Sequence, residues 1–168
     1  GAIFVSDKVE KYIPPGKGKK HALIILRELI ELKPKSKKTN INEGLKFFRN
    51  TQKKRCISFV LSDFMDSNDF MEGMKISRKK HDMIAIRLFD EAETKLPNLG
   101  IVQLFNAESN ETTWVNTNSL FAKKNHLENF LANEEKLNKG FSKSGIDFVS
   151  ISTNEDIVKP LVKLFQNR

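Results

Sequence analysis

An α/β fold built on a mostly parallel sheet is what this sequence predicts, and three observations predict it. Cys56 to Leu61 and Met83 to Phe89 are nearly continuous apolar runs, too short for helices of their own, which is how strands buried on both faces read. A helical stretch around Asp69 to Lys79 lies between them, so strand, helix and strand alternate. The chain has 168 residues, 39% hydrophobic and 30% charged, enough for one domain with a real core and short for two.

The elements follow in order. Ala2 to Val5 is apolar, and Val9 to Ile13 alternates Val9, Lys11 and Ile13 against Glu10 and Tyr12, so the two read as strands joined by a tight turn at Ser6-Asp7-Lys8. Pro14-Pro15-Gly16 stops the second strand. From Lys19 to Leu32 the positions Ala22, Leu23, Leu26, Leu29 and Ile30 repeat at helical spacing before Pro34, which predicts a packed amphipathic helix. A second helix starts near Asn42 and ends near Thr51, with Asn40 and Glu43 spaced as an N-cap and its reciprocal partner and Ile41, Leu45 and Phe48 on one face.

After the two buried strands, Ile101 to Phe105 and Thr112 to Val115 flank the polar turn Asn106 to Glu111 and read as a hairpin inserted into the alternating pattern. Leu120, Leu127, Phe130, Leu131, Leu137 and Phe141 follow helical spacing, and Gly145 marks the exit. Phe148 to Ser152 is a strand, and Ile157 to Phe165 a closing helix with Pro160 in its first turn, where a missing N–H is least costly. No repeat or interdomain linker is visible, so residues 1–168 read as one domain.

Composition removes several function classes. A single cysteine excludes a disulfide framework or a cysteine-based zinc site, and His21, His81 and His126 have no ligand spacing. No apolar run approaches the roughly 20 residues of a membrane span and no basic-then-apolar leader opens the chain, so a cytoplasmic protein without a membrane role is expected. The net charge of +8 is lopsided: residues 1–55 hold fifteen Lys or Arg against five Asp or Glu. Lys17, Lys19 and Lys20, and then Lys33, Lys35, Lys37 and Lys38, form two clusters that read as solvated. A basic nucleic-acid-binding domain is the alternative this charge supports. It ranks second because no aromatic residues interleave with the lysines for base stacking and no recognition-helix motif accompanies them.

In an open parallel sheet, function gathers at the carboxyl ends of the strands, which points to Ser62-Asp63-Phe64-Met65-Asp66 and to Asp63 first. Thr39, in the loop before the second helix, offers a hydroxyl, and the helix N-terminus favours an anion nearby. Carboxylate and hydroxyl together suit a hard cation such as Mg²⁺, although two protein ligands are few. A strand-end cap for Asp63 and a helix cap for Thr39 are the structural alternatives. Enzyme readings fare worse. Asp63 lacks the acidic, hydroxyl and lysine partners of a phosphoacceptor site, and Asp63 and Asp66 stand at i and i+3 where a haloacid-dehalogenase phosphatase needs i and i+2. Ser62 has no neighbouring His, while His81 and Cys56 at strand starts read as packing residues.

Several strings carry a family resemblance in order: Val9-Glu10-Lys11-Tyr12-Ile13-Pro14-Pro15, Gly18-Lys19-Lys20-His21, Thr39-Asn40-Ile41, Phe59-Val60-Leu61-Ser62-Asp63-Phe64, His81 to Leu88, Leu96-Pro97-Asn98-Leu99-Gly100 and Trp114-Val115-Asn116-Thr117. Together they resemble the bacterial domain-of-unknown-function family 58 over nearly the whole chain. The resemblance implies a von Willebrand factor A-like domain, commonly found beside MoxR-type AAA+ ATPases, with a three-part metal-ion-dependent adhesion motif. Thr39 matches the second part and Asp63 the third; the first, Asp-x-Ser-x-Ser, has no match, since Asp7 falls in a turn.

The resemblance therefore implies a domain that begins after its central first strand. It implies a non-catalytic protein-interaction module, with Mg²⁺ expected only in a full-length domain and none in this chain. An AAA+ ATPase is the expected partner, and self-association through the N-terminal strands is expected because Ala2 to Val5 and Cys56 to Leu61 would each lack a neighbour.

Overall fold

A computed structural model describes residues 1–105 and 112–166, which fall into two compact units. The polar turn placed at Asn106 to Glu111 lies outside the described residues. None of the described helices is long and apolar enough to cross a membrane.

The first unit comprises Gly1–Arg55 and Met65–Ser77. Strands β1 (Ala2–Val5) and β2 (Val9–Ile13) pair antiparallel, with Ile3 opposite Tyr12 and a bulge between Phe4 and Val5. The turn is tied by the Ser6 hydroxyl, which donates to Glu10 Oε1 at 2.6 Å, and that bond holds the Glu10 carboxyl below the usual carboxylate range. Helices α1 (Lys19–Glu31) and α2 (Ile41–Thr51) follow, then α3 (Met71–Arg78), whose last residue belongs to the second unit. On α2, Gly44 must be glycine: a Cβ there would sit 2.6 Å from Cγ2 of Val5, so the missing side chain is what lets the helix close on β1. Phe47 meets Tyr12 of β2 edge to face at 5.3 Å. Arg49 reaches α3, donating to the Gly73 carbonyl at 3.1 Å and to Ser77 Oγ at 3.3 Å.

One expectation fails in this unit. α1 forms where the periodicity places it, but it is not packed by its apolar positions: none of its residues is fully buried, and Leu23, Leu26, Leu29 and Ile30 are exposed. A different line of side chains, His21, Ile25, Glu28 and Leu32, is the less exposed one, with Glu28 paired to Lys11 of β2 at 2.5 Å. The helical period predicts a stripe but not which way the rest of the unit turns it.

The second unit comprises Cys56–Phe64 and Arg78–Arg168. Its three-stranded parallel sheet runs β3 (Ile57–Ser62), β4 (Asp82–Phe89) and, after the hairpin, β7 (Asp147–Ser152), with β4 in the middle. The hairpin β5 (Ile101–Phe105) and β6 (Thr112–Asn116) is a separate antiparallel pair with Ile101 opposite Asn116. Thr117 closes its open end, bonding the Gly100 carbonyl through both its backbone N–H and its hydroxyl at 2.8 Å.

Helix α4 (Leu120–Lys143) is capped by Ser119 and ends at Gly145, where φ is +64°; the Ile146 N–H bonds the Phe141 carbonyl and the Gly145 N–H that of Ser142. Of its apolar positions only Leu137 and Phe141 are buried, while Leu120, Leu127 and Leu131 are exposed. α5 (Val158–Gln166) has Pro160 in its first turn as expected, and its Leu161 and Leu164 pack, with Val149, on the cluster of Ile84, Ile86 and Ile151. The chain is thus mixed α/β with a parallel sheet flanked by helices. Burial of both apolar runs holds only for β4. On β3, Ile57, Phe59 and Leu61, which share one face of the sheet, are exposed, and no other strand among the described residues pairs on its far edge.

Candidate functional site

β3 delivers Asp63 to its carboxyl end, and the turn that follows is built to hold it there. Phe64 adopts a left-handed backbone at φ +56°, a conformation that costs a non-glycine residue about 1 kcal/mol. Burial of its ring against Phe141 at 5.2 Å and Phe148 at 6.3 Å offsets that cost. The Ser62 hydroxyl accepts the Phe64 N–H at 3.0 Å and donates to Asp63 Oδ1 at 3.3 Å. With Phe64 pinned inside and Ser62 capping the turn, the Asp63 side chain is exposed.

Thr39 belongs to the first unit, one residue before the Asn40 cap of α2. Asn40 caps as expected, its side chain accepting the Asn42 N–H at 3.1 Å. The anion that the helix N-terminus favours is Asp66: its Oδ2 accepts the Ile41 N–H at 2.7 Å, and its Oδ1 accepts the Asn68 N–H at 2.8 Å and the Asn68 amide at 2.7 Å. The Asn68 amide also reaches the Thr39 carbonyl at 3.4 Å, and the Asn42 amide donates to the Asp69 carbonyl at 2.8 Å. The structure thus brings Thr39 together with Asn68, which the sequence reading did not single out, and with Asp66, which it placed only in the strand-end string. The signal was available: Asp-x-Asn after a strand is an Asx turn whose second carboxylate oxygen is left to bond elsewhere. Asp63 lies in the second unit. As donors, a threonine hydroxyl and an aspartate carboxylate are each hard oxygens of the kind Mg²⁺ takes.

Two further clusters lie in the second unit. Cys56 Sγ is 3.5 Å from His81 Nδ1. An activated thiol beside histidine has its pKa lowered, whereas burial pushes the Cys56 thiol up and pushes the His81 imidazole down, with Lys80 adding to the second effect. The pair packs at the strand starts, as the sequence suggested. The other cluster was missed. Arg87, inside the apolar run of β4, is fully buried; its Nη1 donates to Glu134 Oε2 of α4 at 2.6 Å, and its Nη2 lies 3.6 Å from Glu93. Ser150 of β7 donates to the same Glu134 oxygen at 3.0 Å, and the guanidinium carbon stands 4.5 Å over the Phe130 ring. A charge inside an apolar strand had signalled that a carboxylate must meet it.

Comparison with known proteins places the chain. The model of the family described as protein of unknown function DUF58 matches residues 1–136, so the chain belongs to that family. Proteins described as uncharacterized, from Mycobacterium bovis and from two strains of Mycobacterium tuberculosis, are each similar at 23% identity over 111 residues, covering 65% of this chain and 35% of theirs. The chain therefore spans about a third of the length of the curated relatives it matches. No solved structure matches it.

Proposed function

We propose, from membership of that family, that the chain is a non-catalytic protein-interaction module of von Willebrand factor A-like architecture that recognises a protein through the carboxyl end of its parallel sheet. The observation that carries the reading is Asp63, held exposed at the end of β3 by the buried left-handed Phe64. Thr39 and Asp63 are the residues of this chain that would hold Mg²⁺, and when bound the ion would offer a coordination position to a partner carboxylate. A MoxR-type AAA+ ATPase is the partner that analogy favours. Self-association through the N-terminal strands belongs to the same proposal, since β1 pairs only with β2 among the described residues.

The test is a binding titration of the chain against a MoxR-type ATPase in Mg²⁺ and again in EDTA. Binding that falls in the Asp63→Ala variant is expected, and binding indifferent to that substitution overturns the reading; a fall in EDTA would show that the chain takes up Mg²⁺ after all. Affinity for duplex DNA that drops steeply with salt would favour the nucleic-acid alternative instead. By itself the chain is expected to bind Mg²⁺ negligibly in calorimetry, because it supplies too few oxygens.

A further inference from the structure

Helix α1 keeps Ile25 on its inward line but leaves four apolar side chains outside. Leu23 and Leu26 are each 53% exposed, Leu29 is 61% and Ile30 83%, while the polar His21 and Glu28 lie on the inward line. Leu23, Leu26 and Ile30 stand at i, i+3 and i+7, a straight seam along one side of a helix about 20 Å long. That spacing is the anchor pattern by which one helix takes another, and it is too regular for scattered surface leucines. The surroundings of the seam are basic. Lys19 and Lys20 open the helix, Arg27 flanks its middle and Lys33 follows its end. Of the two acids in α1, Glu28 is committed to Lys11. Among the described residues Lys19, Lys20 and Lys33 form no ion pair.

We propose that the α1 seam is the docking surface for an acidic amphipathic helix of a partner protein. The partner's aliphatic residues pack against Leu23, Leu26 and Ile30, and its flanking Asp or Glu side chains meet Lys19, Lys20, Arg27 and Lys33. Charge selects this occupant. A second copy of α1 fits less well, because the helix and its flanks set Lys19, Lys20, Arg27 and Lys33 against two acids, of which Glu28 is already held by Lys11. A lipid surface fits poorly because the seam is narrow and α1 carries no Trp, Tyr or Phe to seat at an interface. The surface uses neither Thr39 nor Asp63, so it stands whether or not recognition through the strand ends is metal-dependent.

Fluorescence anisotropy with a synthetic heptad-repeat peptide, Leu at the seam positions and Glu at the flanks, tests it at about 0.15 M salt. The chain should bind this peptide and discriminate against the same peptide with Lys flanks. Leu26→Ser with Ile30→Ser should weaken binding at least about tenfold. Lys20→Glu with Arg27→Glu leaves the apolar seam intact and should reverse the preference to the Lys-flanked peptide. All four positions are exposed, and circular dichroism checks that each variant keeps the fold. Absence of binding, equal binding of both peptides, or a reversal that fails would overturn the proposal. So would concentration-dependent dimerisation abolished by the Leu26→Ser, Ile30→Ser variant, which would assign the seam to a second copy, or preferential binding of phosphatidylserine vesicles, which would assign it to a membrane.

Discussion

β4 has a strand on each side, and Met83 to Arg87 are all buried; its parallel neighbour β3 has β4 on one side only, and Ile57, Phe59 and Leu61 stand exposed in alternation with covered residues. Both strands are mostly apolar. The difference shows that an apolar strand states a demand for cover, while its place in the sheet decides how far the demand is met. It also explains where a buried charge can be tolerated. Arg87 is tolerated in β4 because Glu134, Glu93 and the Phe130 ring surround it there.

The contrast can be broken hardest in the core of β4. Ile84→Ala should destabilise the chain by about 3 kcal/mol in urea unfolding, because it removes buried methyl groups and leaves a cavity under Leu161 and Leu164. Glu134→Gln should cost a comparable amount, about 3 kcal/mol, by leaving the Arg87 guanidinium buried without its closest counter-charge. If the pair is a local requirement of β4, the additional change Arg87→Met should recover most of that loss.

A pH series sharpens the same comparison at the start of the two strands. Burial holds the His81 imidazole below its ordinary 6.5, so on acidification the unfolded chain takes up this proton first. The contribution is full above about pH 7 and is lost as pH falls through 6.5 toward the folded value. Urea midpoints at about pH 7.5 and 5.5 should therefore differ in the native chain and differ less in His81→Gln. Glu10, Glu91 and Glu135, whose carboxyls are held low by hydrogen bonds from Ser6, Lys95 and Lys139, lose their contributions only below their ordinary 4.5, which keeps the two windows apart.

On β3 the expected effects are small in stability and visible in assembly. Leu61→Ser should change stability by no more than about 0.5 kcal/mol, since the side chain is already in water, and should reduce concentration-dependent light scattering if the open strand self-associates. A native chain that stays monomeric across the series would remove self-association from the proposed function. Asp63→Ala should be the quietest change, below about 0.5 kcal/mol; a loss above about 1.5 kcal/mol would show that the carboxylate caps the strand end.

Much of this was legible beforehand for a local reason. Helical and strand periods, the Asn40 cap, Gly145 at the end of α4 and Pro160 in the first turn of α5 depend on neighbours a few residues away, and each stands where the sequence puts it. The order of apolar runs likewise determined the mixed α/β class, and the exposed Asp63 follows from a strand ending in Ser-Asp. Tertiary structure alone decided what each stripe faces. α1 pairs Glu28 with Lys11 and leaves its leucines outside, β3 and β4 meet different amounts of cover, and Asp66 reaches the α2 N-terminus across 25 residues of chain. Periodicity records that a face exists, but its direction is set by contacts between residues far apart in the chain, whose geometry no local pattern encodes.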